Sequence, residues 1–217
     1  MDRGRYVVAP YRSEAYVDSP LPIGFGQTIS APHMHAACCE ELAAQLRPGA
    51  RVLDVGSGSG YLTAVMAQLV APNGRITGVE VVPPLVERST AALADDPSVQ
   101  AARAAGTHVS VHEADAHWGW PADAPYDAIH VGAAAEEVPP ALVAQLAPGG
   151  RMIIPVGRHG GSQVLMCVDK DKESGRVTHR QLMGVQYVPL VHGGKKPPES
   201  EAAQQQPQQE GPLAREE

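Results

Sequence analysis

The chain has 217 residues, 24 Asp+Glu against 17 Lys+Arg, a formal net charge of −7 and 43% hydrophobic residues. That length suits one or two domains of about 100–200 residues, and the acidic balance argues against nucleic acid, whose phosphates need a basic surface. Mean hydropathy is −0.18, and no run approaches the roughly 20 apolar residues of a membrane helix, so no membrane span is expected.

Residues 1–32 are rich in Pro, Gly, Ser and Tyr and read as an irregular arm. A helix is expected over 33–46, stopped by Pro48-Gly49. Strands are expected at Arg51–Val55, Arg75–Glu80, His108–Glu113, Tyr126–Val131 and 150–156. Helical patterns fall between them at 61–70, 84–94 and 140–146. This alternation predicts βαβ units in a doubly wound α/β fold with a mostly parallel, Rossmann-like sheet. Two further strand-like runs, 163–168 and 185–190, have only a charged turn, 169–176, and no clear helix between them, which predicts an antiparallel edge. Residues 195–217 hold one Leu and no aromatic residue and predict a disordered tail. The expected organisation is thus an arm (1–32), one domain (33–194) and a tail (195–217). Cys38, Cys39 and Cys167 are odd in number with two adjacent. They imply no disulfide framework and a reducing, cytoplasmic setting. No apolar stretch of a secretory signal follows Met1-Asp2-Arg3-Gly4-Arg5.

The central motif is Leu53-Asp54-Val55-Gly56-Ser57-Gly58-Ser59-Gly60, a strand running into a glycine turn and a helix. Glycines there let a ligand approach the backbone. Glu80 closes the next strand, where a carboxylate can accept both ribose hydroxyls of a nucleoside. Asp54 at the loop mouth would repel a pyrophosphate and attract a cation, and Tyr61 stands where a dinucleotide fingerprint needs glycine. Both features point to S-adenosylmethionine, a sulfonium nucleoside without phosphate. The plainer reading is a structural turn with Asp54 as a cap or surface residue. Asp115 ends the third strand and can accept from an adenine amine, or it is an ordinary turn residue. Trp118 and Trp120 are either cofactor neighbours or packing residues. His130, inside an apolar strand, reads as a satisfied core histidine, and Cys38 and Cys39 as core or interface packing. His33 and His35 have no further ligand pattern around them, and no metal site is expected.

The stretch Asp18-Ser19-Pro20-Leu21-Pro22-Ile23-Gly24-Phe25-Gly26-Gln27-Thr28-Ile29-Ser30-Ala31-Pro32-His33-Met34-His35, with the glycine loop, resembles the protein-L-isoaspartate (D-aspartate) O-methyltransferase family. Further matches are Ala124-Pro125-Tyr126-Asp127-Ala128-Ile129-His130-Val131-Gly132, Leu146-Ala147-Pro148-Gly149-Gly150-Arg151 and Gln186-Tyr187-Val188-Pro189-Leu190. The resemblance runs from about residue 1 to 191. It implies a seven-stranded methyltransferase sheet and methylation of isoaspartyl and D-aspartyl carboxyls in damaged proteins and peptides, with S-adenosylmethionine as donor. By position it puts Ser30 at the active site. It puts Gln27, Thr28, Ile29, Ser30, His35, Ser59, Glu80, Val81, Asp115 and Ala116 at cofactor contacts, beside the loop residues Asp54 to Gly60. Ser30, Ala31, Pro32, His33, Tyr187, Val188 and Leu190 fall where the substrate is held. Ser30 also reads as a helix N-cap. The resemblance further implies a helical segment ahead of the arm, which this chain begins inside or just after. Glu80 stands where many members have Asp, and Val191 replaces a polar residue. A monomer is expected. Competing readings are a methyltransferase of another carboxylate and a non-catalytic cofactor-binding protein; a nicotinamide oxidoreductase would need a cofactor that Asp54 disfavours.

Overall fold

In the computed structural model, which describes residues 1–193 and 195–198, the arm is more regular than its composition suggests. Two 3-10 turns, Arg3–Tyr6 and Ala9–Glu14, lead into a hairpin of β1 (Leu21–Gly24) and β2 (Gln27–Ile29). The buried Arg3 guanidinium ties the first turn down by donating from Nε to the Ala15 carbonyl at 2.7 Å. The Tyr6 hydroxyl donates to Asp96 at 2.9 Å. The hairpin is held by Arg88, which donates to the Ile23 carbonyl at 2.6 Å.

After the arm come α1 (Pro32–Glu41), β3 (Arg51–Val55), α2 (Tyr61–Leu69), β4 (Arg75–Glu80), α3 (Pro83–Asp95), α4 (Pro97–Ala104) and β5 (His108–Glu113). Then follow β6 (Tyr126–Val131), α5 (Pro140–Ala144), β7 (Leu146–Val156), β8 (Gln163–Lys170) and β9 (Val177–Val185). Seven strands form one sheet in the order β5-β4-β3-β6-β7-β8-β9. The first five run parallel, β8 runs antiparallel to β7, and β9 antiparallel to β8. The doubly wound α/β sheet with an antiparallel edge is the expected one.

Both faces of the sheet are covered, so the central strands are apolar on both sides. Val52, Ile76 and Ala128 join the arm and α1 to α4 in one core. Leu53 and Ile129, one residue further along their strands, and Val79, three residues beyond Ile76, point the other way and pack with Leu142 of α5. Winding reverses between β3 and β6, and the crevice above such a switch point, at the strands' carboxyl ends, is where open α/β sheets bind ligands.

Three elements differ from expectation. The first helix ends at Glu41, five residues early, in a tightened turn. The stretch after α3 forms a separate helix, because Pro97 cannot sit in a helix interior and Asp96 caps the new start, accepting from Ser98 N–H at 2.8 Å. The last strand is Val177–Val185, after the expected turn and almost wholly before the run 185–190 expected to be strand. It is an edge strand with mostly exposed side chains, so its burial pattern is weak. Residues 186–190, expected to be strand, leave the sheet, and Pro189 has no N–H for a ladder. They cross to the β6 loop instead, where Ala134 donates to Val188 and Leu190 donates to Ala134, at 2.8 and 2.7 Å. The expected disorder of the tail falls on 199–217, outside the described residues. Lys195 to Pro198 lie on the body: Asp115 N–H donates to the Lys195 carbonyl at 3.2 Å, and Pro197 is buried.

Candidate active site

β3 delivers the glycine turn to the switch point. Gly56, Gly58 and Gly60 have φ of 69°, 51° and 83°, in the left-handed region that disfavours a side chain. Gly60 begins α2, and a Cβ there would lie 3.1 Å from the Ser89 Cβ of α3. At the tip of β4, Glu80 is only 5% exposed. It accepts from the N–H groups of Gly58, Val81 and Val82 at 2.9, 2.8 and 3.0 Å. Burial raises its carboxyl above the usual range, against the pull of those three N–H groups. Three bonds leave room for one more donor on a carboxylate.

Three hollows share Thr28 in their walls, and two of them are lined by this turn. An outer cleft of about 430 Å³ is lined by Gln27, Glu80, Val81, Ala116 and, from the crossing segment, Val188 to Val191. An inner pocket of about 330 Å³ is lined by Ile29, His35, Asp54, Ser57, Ser59 and His130. Gly56, Gly58 and Gly132 are common to both. A groove of about 680 Å³ is lined by Ala31, His33, Met34, Tyr187 and the end of β9. Thr28 lines all three, and Ser30 lines the inner pocket and the groove. Ser30 is not a helix cap. The cap position of α1 is Ala31, with no side-chain bond, and Asp18 from the arm accepts from the His33 N–H at 3.1 Å. The Ser30 hydroxyl is thereby spared helix duty.

The sequence-predicted residues therefore gather, with exceptions. Gly60, Pro32 and Asp115 line none of the three hollows. Val188 and Leu190, expected beside the substrate, line the outer cleft with Glu80. Asp54 lines the inner pocket but does not offer a free charge. It is 1% exposed and bonded by the Thr63 hydroxyl at 2.5 Å and by His130 Nδ1 at 2.8 Å. Burial alone would lower the His130 imidazole, but the Asp54 bond and the Cys38 thiol outweigh it and push it up to about 10. The Asp54 charge is thus balanced internally, and the negative side chain left at the hollows is Glu80. His35, by contrast, is lowered to about 3 by burial first, then by the charges of His130 and Arg3. It accepts from Arg3 Nη1 at 3.2 Å and its ring centroid lies 5.1 Å from that of Tyr61.

The donor set suits a nucleoside without phosphate. No Lys or Arg lines the outer cleft or the inner pocket. The Ser57 hydroxyl is buried in the inner pocket with no hydrogen-bond partner among the described residues. A buried polar atom of this kind costs about 1–3 kcal/mol unless a ligand satisfies it.

The family described as protein-L-isoaspartate(D-aspartate) O-methyltransferase matches residues 1–195. The chain belongs to this family. It is 51% identical over 191 residues to the protein-L-isoaspartate O-methyltransferase of Triticum aestivum, covering 88% of this chain and 80% of the relative. The Caenorhabditis elegans enzyme of that name is 47% identical over 192 residues, covering 88% and 81%. A solved structure from Plasmodium falciparum, described as a candidate enzyme of this name in complex with S-adenosyl-L-homocysteine, superposes with a TM-score of 0.74. It is 35% identical and covers 87% of this chain and 85% of that one.

Within this methyltransferase frame, sequence reasoning missed several side chains. His130 was read only as core; it is buried and satisfied, yet it also walls the inner pocket. Thr63, Arg3 and Asp18 gave no local signal, because each meets its partner across 9 to 32 residues of chain. Trp120 stacks on His112 at 4.0 Å, Trp118 is exposed, and neither lines a hollow. Cys38 is core, and Cys39 packs against it. Asp115 turns away from the cleft. It accepts from His117 N–H and Nδ1 at 2.9 and 3.1 Å, and from Gly193 N–H and His192 Nδ1 at 3.2 and 3.3 Å. These donors, against the effect of burial, hold its carboxyl below the usual range.

Proposed function

We propose that this chain transfers the methyl group of S-adenosylmethionine to the α-carboxyl of L-isoaspartyl residues and the side-chain carboxyl of D-aspartyl residues in damaged proteins. The methyl ester then closes to a succinimide, which can reopen as normal aspartate. The observation that carries this reading is the position of Ser30, which lines both the inner pocket beside the glycine turn and the open groove.

When bound, the cofactor supplies an electrophilic methyl group on a sulfonium. Glu80, with three of its acceptor sites already taken by N–H groups, would accept one ribose hydroxyl, and Val81 and Ala116 would flank the base. Gln27, Thr28 and Ile29 cover the nucleoside. Gly56, Ser57, Gly58, Ser59 and His35 hold the amino-acid end, over a floor made by Asp54 and His130. Asp115 reaches the adenine amine by releasing His192 and Gly193. A carboxylate with a reference pKa near 4 is already ionised at neutral pH, so no general base is required. The chain's task is alignment, which can contribute up to about 7–11 kcal/mol to a displacement. Ser30 donates to the substrate carboxylate and fixes its approach. Ala31, Pro32, His33 and Tyr187 hold the flanking peptide.

Residues 1–32 act as a covering arm on a methyltransferase domain spanning 33–194. Three free cysteines suit a reducing cytoplasm. Among the described residues no helix is long and apolar enough to cross a membrane. The chain is a monomer, which light scattering near 22.8 kDa checks. Paired peptides differing only in isoaspartyl against aspartyl linkage provide the functional test. Methylation of the first alone supports the reading; equal methylation of both defeats it.

A further inference from the structure

Two imidazoles and a carboxylate meet where the crossing segment passes the end of β5. Asp115 is buried, the His117 side chain is 21% exposed and the His192 side chain 77% exposed. The two rings stack almost parallel, with centroids 3.6 Å apart at 11°. Both Nδ1 atoms face the same carboxylate, at 3.1 Å from Oδ1 and 3.3 Å from Oδ2. Nitrogen and oxygen ligands about 2.0–2.1 Å from a tetrahedral ion stand about 3.3 Å from each other. One ligand atom from each of the three residues lies within 4.8 Å of the other two. His192 is 77 residues from Asp115, so no sequence spacing announces the trio.

We propose that Asp115, His117 and His192 form a site for a divalent transition-metal ion of the zinc type. The ion takes the place of the two ring protons now directed at Asp115. Two imidazoles and one carboxylate suit zinc-type ions better than magnesium or calcium, which prefer all-oxygen sets. Three protein ligands leave a fourth position for water. Bound metal fastens the crossing segment, through His192, to the end of β5. It also keeps Asp115 turned away from the cleft, so it opposes cofactor binding; this second part rests on the adenine role given to Asp115 above.

Zinc alone, titrated into the full chain by calorimetry, tests the site. The expected result is one zinc per chain, no heat from magnesium, and at least about tenfold weaker zinc binding in each of His117→Ala and His192→Ala. Circular dichroism confirms that the variants are folded, and the exposure of His192 makes its replacement structurally mild. Zinc bound equally by the wild type and both variants, or no zinc bound, would overturn the site. S-adenosyl-L-homocysteine is then titrated with and without zinc, and about fivefold or greater weakening is expected. Zinc binding that leaves this affinity unchanged would overturn the adenine role of Asp115 and not the metal site.

Discussion

Ser30 is kept out of helix capping by Asp18. In most helices that begin this way a serine near the start is absorbed as a cap; here a carboxylate from the arm meets the helix instead. Ser30→Ala should lower kcat/KM with cofactor affinity nearly unchanged. Loss of one hydrogen bond to a charged group costs about 1.5–3 kcal/mol, or roughly 10- to 150-fold. A matching loss of S-adenosyl-L-homocysteine affinity would instead make Ser30 a cofactor residue. The two pocket histidines set opposite pH slopes. His35, lowered to about 3 from 6.5, costs stability as pH falls from 6.5 toward 3, because the unfolded chain takes up the proton first. His130, raised to about 10 from 6.5, contributes stability that is full below 6.5 and lost as pH rises through 10. Urea midpoints should therefore peak near pH 6.5, and His130→Gln should flatten the alkaline side. A wild-type alkaline side already flat would refute the Asp54–His130 ion pair. Single residues were legible where their neighbours in sequence are their neighbours in space, as with the glycines of the turn. The Asp54 partner was not, since His130 stands 76 residues away on the adjacent strand.

Among the elements, buried parallel strands were the easiest to read, because burial on both faces leaves them almost wholly apolar. β9 was hidden for the opposite reason: as an exposed edge it carries Thr178, His179, Arg180 and Gln181, which look like turn. The adjoining run over 186–190 looked like strand because its apolar residues face a cleft and not a sheet. The tips of β3 and β6 approach so closely that a Cβ on Gly132 would sit 2.8 Å from the Gly56 carbonyl oxygen. Backbone cannot give way as a side chain does. Gly132→Ala should cost about 1–3 kcal/mol of stability and weaken cofactor binding together, measured by urea unfolding and calorimetry. Loss of neither would mean that the glycine turn is softer than its geometry implies.

For the whole molecule, the alternating order of strands and helices was enough to foresee the doubly wound sheet, and the glycine turn after β3 marked the end of it that carries chemistry. What order could not convey is that the chain returns from the far edge strand to cover that same point. Tyr187 walls the groove while Val188 to Val191, its direct continuation, wall the outer cleft. One stretch of polypeptide is thus floorboard to one guest and ceiling to the other. A spent nucleoside must wait for the peptide to depart, and a fresh one must enter before the peptide does. Steady-state inhibition should then obey compulsory order: S-adenosyl-L-homocysteine competitive against the donor and noncompetitive against the peptide, with random patterns counting against the shared wall.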